Sequence, residues 1–365
     1  GTINLNIGGS LYAKSGSGTS SPIMIGSLNA AADVHIVSVG DVSFIADGSH
    51  VGNGSQSGYG GTIDVRAGGN LVLTGGTTGR VLIGGLDDSI GTTSVTLSAG
   101  NNITATGNTG GVWLGVKDLM GGSGSSVTLK SGWDAGSAMP SGYGGDITLT
   151  GPVGIQADGS LGMIDVNAYE SSTGAYGGVS LAAGTSAYGN SITIEAAGDN
   201  QIAGSLISTG SIILDAGWND SASTPSLRGG NLTLAATSHL EAGDYVDMYA
   251  EAGTGAPYGG GIITQNGSLV SDGNISMYAN RDIRINGSVT TTTTYGSAPL
   301  YLRAGYSATN QFGGNVIFGS ASTVTASGSI EAAAYAGDES RGDIVQYGGS
   351  LIYGGGYIGL YADGS

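Results

Sequence analysis

Two acidic pairs, Asp87-Asp88 and Asp338-Glu339, are the first residues to weigh as chemistry. Hydrolysis of a glycosidic bond uses two carboxylates held at a set separation across one bond. Both pairs fall in predicted loops, and adjacent residues on a strand would face opposite sides. The three histidines, His35, His50 and His239, recur at no common position. No enzyme is therefore expected. Loop carboxylates at Asp215, Asp220, Asp338 and Asp343 are oxygen ligands of the kind calcium takes. The Gly-Gly-x-Gly-x-Asp calcium signature does not occur, so no cofactor is expected, with calcium at these loops as the alternative.

The aromatic residues are spaced more tellingly. Trp133, Trp218 and Tyr306 occupy one repeated position, just after a short strand. Tyr59, Tyr143 and Phe312 occupy another, just before a Gly-Gly step, and Tyr176 and Tyr258 match it in a second set of segments. Gly48 and Leu227 break the two series. Rings at a repeated position can pack between loops, or they can form a platform for sugar rings. Loop packing is the expected role, and glycan stacking is the alternative.

Those rings must be positioned by strands, since no window carries a sustained helical period. Alternation is general, as in Ile63-Asp64-Val65, Val95-Thr96-Leu97 and Ile192-Thr193-Ile194. Aliphatic residues point one way and polar residues the other. Gly, Asn-Gly, Asp-Gly or Gly-Ser separates the runs and supplies positive φ at corners. Residues 126–150 (SVTLKSGWDAGSAMPSGYGGDITLT) show the full plan of strand, Gly-rich loop, Gly-Gly and strand. Residues 42–67, 211–235 and 300–318 repeat it. The Gly-Gly steps at Gly60-Gly61, Gly144-Gly145, Gly229-Gly230 and Gly313-Gly314 lie 84, 85 and 84 residues apart.

A second set with the same plan, at residues 163–182, 246–264 and 330–345, lies between them and halves the spacing to about 42 residues. Such a unit fits two rungs of a parallel β-helix, roughly 20 residues each, with about 17 rungs on the order of 80 Å long. The reading for residues 1–365 is a single β-solenoid. Arg341-Gly342-Asp343 has the form of a cell-attachment tripeptide. Gly342 sits where other repeats have the Gly-Gly corner, however, and Asp343 sits where they have Thr62, Asp146 or Asn315. Repeat position accounts for it.

Composition narrows the partners. The net charge is −17, from 27 acidic and 10 basic residues, the wrong sign for a nucleic-acid backbone or an anionic membrane. No apolar run approaches the roughly 18 residues of a membrane-spanning helix. With no cysteine, disulfides and thiol chemistry are excluded. Gly is 73 of 365 residues but Pro only 6, which excludes collagen. The chain begins at Gly1 without Met and is expected to be a segment of something longer. It opens like a strand that follows Gly-Gly and closes like a strand that precedes a loop. Bare end rungs present unpaired backbone. Either the chain continues, or copies associate end to end or laterally, so the expected partner is the chain itself.

One stretch has a familiar texture. Gly273-Asn274-Ile275-Ser276-Met277-Tyr278-Ala279, then Arg281-Asp282-Ile283 and Asn286-Gly287-Ser288, resembles filamentous-haemagglutinin-type repeats. Residues 201–216 (QIAGSLISTGSIILDA) and 101–107 (NNITATG) are similar. The resemblance implies a right-handed parallel β-helix. It also implies a secreted surface protein of a Gram-negative bacterium, exported by two-partner secretion or autotransport and used in adhesion and cell contact. That family's amino-terminal secretion domain and Asn-Pro motif are absent here, and the loops are longer. The expected function is structural: an extracellular rod or fibre of the cell surface or matrix. Its alternatives are an adhesin presenting loops to glycan or protein partners, and a carbohydrate-active enzyme on a β-helix.

Overall fold

The computed structural model describes residues 1–15, 23–27, 32–46, 50–53, 61–85, 93–116, 124–134, 136–157, 161–171, 175–219, 224–254, 259–293, 297–306, 313–337 and 341–363. Among the described residues every regular element is a strand. The chain divides into two compact units, Gly1–Thr193 and Ile194–Ser365.

Each unit is a parallel β-solenoid with three strands per turn and successive turns spaced by roughly 31 residues. In the first unit the first strands of successive turns include Asp33–Ser38, Gly61–Ala67, Thr93–Ala99 and Ser126–Ser131, stacked in parallel. The second strands include Leu71–Gly75, Ile103–Thr106, Ile147–Thr150 and Val179–Leu181. The third include His50–Asn53, Val81–Gly85, Val112–Val116 and Val153–Gln156. The second unit repeats this order, with Val246–Ala250, Ile275–Ala279, Leu300–Ala304 and Ile330–Ala334 as first strands.

The alternation read from the sequence builds the core. On Ser126–Ser131 the side chains of Val127 and Leu129 are fully buried, and Ser126, Thr128 and Lys130 face out. Their register partners Val95 and Leu97, and Ile164 and Val166, are buried in the same way, so aliphatic rows run from turn to turn. Each fully buried Val, Ile or Leu contributes about 1.5–3 kcal/mol relative to exposure.

The period needs correction. In the second strands, Leu11 pairs with Val42 (31 residues on), Val42 with Leu71 (29), Leu71 with Ile103 (32) and Ile103 with Ile147 (44). In the second unit, Leu232 pairs with Ile263 (31), Ile263 with Ile283 (20) and Ile283 with Val316 (33). The 84 residues between Gly229-Gly230 and Gly313-Gly314 thus hold three turns, two long and one short, not four rungs of about 20. The short turn passes from Ile275–Ala279 to Ile283–Ile285 with only residues 280–282 between, so it has no Gly-Gly step and leaves no mark at the expected spacing.

Residues 42–67 are also not a counterpart of residues 126–150. Gly60-Gly61 leads into a first strand, Gly61–Ala67, whereas the other three steps lead into second strands, Ile147–Thr150, Leu232–Leu234 and Val316–Phe318. Glycine pairs serve two different corners, and the sequence does not distinguish them.

The corner before the second strand is held by a chain of side-chain amides and carboxylates. In the first unit, Asp41 Oδ1 accepts the Asn70 N–H (2.6 Å), and Asn70 Oδ1 accepts the Asn102 N–H (3.3 Å). Asn102 Oδ1 then accepts the Asp146 N–H (2.9 Å), and Asp146 Oδ1 accepts the Gly178 N–H (2.8 Å). The second unit repeats the device from Asp199 to Asn231 and Ile262, and from Asp282 to Asn315 and Asp343. Thr62 lies outside this series, because its N–H donates to Asp33 at the other Gly-Gly corner.

A carboxylate accepts an N–H as well as an amide does, so Asn102→Asp is expected to be tolerated. Asn102→Ala leaves a corner N–H without its acceptor and is expected to cost about 1–2 kcal/mol, read as a shift in urea midpoint.

Candidate functional site

Trp133 and Trp218 occupy equivalent places, as their spacing predicts. Each opens a two-residue strand in a small antiparallel hairpin and pairs with a proline seven residues on, Trp133 with Pro140 and Trp218 with Pro225. A serine closes each hairpin at its base: Ser141 N–H donates to Gly132 O (2.6 Å) and Ser226 N–H to Gly217 O (2.7 Å). The Trp133 ring lies against Tyr169, centroids 4.7 Å apart, and the Lys130 ammonium sits 4.9 Å from its centre. Much of that ring is thus committed to its neighbours.

Tyr306 lies in no strand among the described residues and joins a column of rings. Tyr249 and Tyr278 are register partners stacked at 5.3 Å with planes 9° apart. Tyr306 follows at 5.5 Å from Tyr278, and Tyr335 at 6.4 Å from Tyr306. The Arg303 guanidinium lies 5.7 Å from the Tyr278 ring centre and 5.8 Å from that of Tyr306, within cation–π range. Only Tyr249 and Tyr278 lie face to face; the Tyr278–Tyr306 and Tyr306–Tyr335 planes are tilted by 54° and 53°, and both geometries suit packing between turns. Tyr143 differs: it is 76% exposed and lies beside the first hairpin. Tyr59, Phe312 and Tyr258 lie outside the described residues, while Tyr176 is partly buried.

The carboxylates fall out differently from expectation. Asp215 is not on a loop. It sits in the strand Ser205–Ala216, one turn before Tyr249 in the same outward column. Burial pushes its pKa up to about 8, and the nearby charges of Glu251 and Glu195 push the same way. Among the described residues its Oδ1 has no hydrogen-bond partner. Burial also raises Glu251, against a hydrogen bond from Asn280 that lowers it.

Asp343 closes a corner chain by donating its N–H to Asn315 Oδ1, and Gly342 beside it is buried, where an added Cβ would stand 2.3 Å from Ala334 O. Asp87-Asp88, Asp220 and Asp338-Glu339 lie outside the described residues. His35 Nδ1 is 3.9 Å from Asp64, and His239 Nε2 is 3.4 Å from Glu241. Among the described residues no group of three or more His, Asp or Glu side chains is arranged to hold a metal ion. In the same residues, no helix is long and apolar enough to cross a membrane.

Sequence reading missed the Tyr249–Tyr278 stack and the Glu195, Asp215 and Glu251 group. The signal was available in aligning SIILDA, VDMYA and ISMYA, where Asp215, Tyr249 and Tyr278 share one outward position. Fold and side chains together define a parallel β-solenoid with corner hairpins. Comparison with protein-family models, curated proteins and solved structures gives no match.

Proposed function

We propose that the chain is a structural segment of an extracellular fibre or matrix, of the filamentous-haemagglutinin-like kind on a Gram-negative surface. The observation that carries this reading is the constancy of register. Second-strand turns of 29 to 44 residues in the first unit keep the same stacked partners, so the loops add to the outside without disturbing the ladders. Such a body resists extension through continuous backbone pairing and a dry aliphatic core. The low cation content and net charge of −17 suit a soluble, exposed surface. Ile358 and Leu360, register partners of the inward Ile330 and Ala332, are 45% and 49% exposed.

Electron microscopy of the purified 365-residue chain tests the proposal. Fibres are expected, and Ile358→Lys with Leu360→Lys is expected to shorten or abolish them. A monodisperse monomer in sedimentation at high concentration would overturn the fibre reading. The adhesin reading is favoured by one observation, the exposure of Tyr143 beside a cleft.

A further inference from the structure

We infer that the cleft beneath the hairpin of residues 133–140 binds a short neutral oligosaccharide. The inference deepens the adhesin reading and is independent of fibre formation.

The hairpin folds back across the corners of the preceding turns. Ser141 anchors it there, its hydroxyl donating to Gly100 O at 2.5 Å. A cavity of about 590 Å³ opens between hairpin and corners, a size typical of small-ligand sites. Its floor is bare backbone at Gly68 and Gly100. A Cβ on Gly68 would stand 2.1 Å from Val39 O, and one on Gly100 would stand 2.2 Å from Gly68 O, so close stacking keeps the floor flat. Ala138, at the hairpin turn, has φ 52° and is the one left-handed non-glycine among the described residues. Strain of this kind gathers where a loop is held for a purpose.

The walls carry two sorts of group. Val39, Met139 and Tyr143 are apolar surfaces, 72%, 55% and 76% exposed. Arg66 and Asp134 are the planar polar groups. Both are fixed: Asp64 holds the Arg66 Nε at 2.8 Å and Nη2 at 2.7 Å, while the Asp134 carboxylate accepts the Ser137 hydroxyl (2.6 Å) and the Gly136 N–H (2.9 Å). The bond from Ser137 is also the main reason the Asp134 carboxyl titrates below its usual range.

A sugar presents an apolar C–H face and neighbouring hydroxyls that both donate and accept. The C–H face suits the Tyr143 ring and Met139, and the hydroxyls suit a carboxylate acceptor and a guanidinium donor lining one cleft. Asp64 offsets the Arg66 charge, and Asp134 with a net charge of −17 disfavours acidic saccharides. The occupant that fits is therefore neutral.

The test titrates the full chain with labelled cellotriose, maltotriose and chitotriose by equilibrium dialysis, which reads binding whether or not the chain is fibrous. At least one is expected to bind with a dissociation constant between about 0.1 and 10 mM. Tyr143→Ala and Asp134→Asn are each expected to weaken that binding at least about tenfold, with circular dichroism and melting midpoint unchanged. Since Tyr143 is exposed and outside the core, its variant should fold; Met139→Ala serves as a second check on the same wall. No binding of any trisaccharide overturns the proposal. So does undiminished binding in both variants, or binding of a Lys-rich peptide in place of the sugars. If the unaltered chain forms fibres but binds none of the sugars, the sugar cleft alone falls and the structural reading stands.

Discussion

Asp215→Asn is expected to stabilise the protein, and by far more at pH 8 than at pH 5. Asp215 stands in an outward column, yet burial and the charges of Glu251 and Glu195 keep it protonated up to about pH 8. Below the ordinary carboxyl value both folded and unfolded chains hold the proton, and Asp215 adds no pH dependence. As pH climbs from about 4 to about 8, the unfolded chain ionises while the folded chain keeps its proton, so stability falls. The wild type should therefore lose on the order of 3 kcal/mol from this group between pH 5 and pH 8. Asparagine carries no ionisable proton and escapes the loss. Paired urea titrations of wild type and variant at the two pH values measure the difference directly. An equal gain at both would mean that Asp215 is already ionised in the folded protein.

Gly84→Ala is expected to cost at least about 3 kcal/mol and to lower soluble yield. Gly26, Gly52, Gly84 and Gly115 are successive register partners on the third strands of the first unit. Gly84 has φ 147°, where a side chain is strained, and a Cβ there would stand 1.8 Å from Gly115 O. The obstacle is backbone, which cannot rotate aside as a side chain can. Gly8→Ala, with nothing within 4 Å of the added carbon, is the control and should be close to neutral. If both variants melt with the wild type, the glycine column is not stacked as described.

Much of the fold was legible because burial in a solenoid follows a period of two. Val127 and Leu129, like Ile275 and Met277, declare an inward face locally, without knowledge of the neighbouring turn. What lies across from each residue is not local. The length of a turn depends on whether a corner closes in three residues, as between Ala279 and Ile283, or carries a hairpin, as between Ser131 and Ile147. Glycine marks the hairpin corner, but the short corner, Asn280-Arg281-Asp282, carries none.

The candidate site divides along the same line. Trp133 and Trp218 could be matched because each carries its own proline and serine within a few residues. Tyr249, Tyr278 and Tyr306 come from separate turns and become neighbours only through register. Asp215 reads as a solvated loop acid in the sequence, and only register places Tyr249 one turn above it.

The variable corners bear on how such a chain can change over generations. The step from Ile103 to Ile147 is 44 residues and that from Ile263 to Ile283 is 20, yet both end in the same parallel pairing. Doubling a flexible loop adds only about 0.6 kcal/mol of closure entropy. Insertions and deletions at these corners are therefore nearly silent for folding, while substitutions in the ladders are not. The lineage can rewrite what it shows to its surroundings at the corners and keep an unchanging frame beneath, a division of labour set by where backbone pairs and where it merely turns.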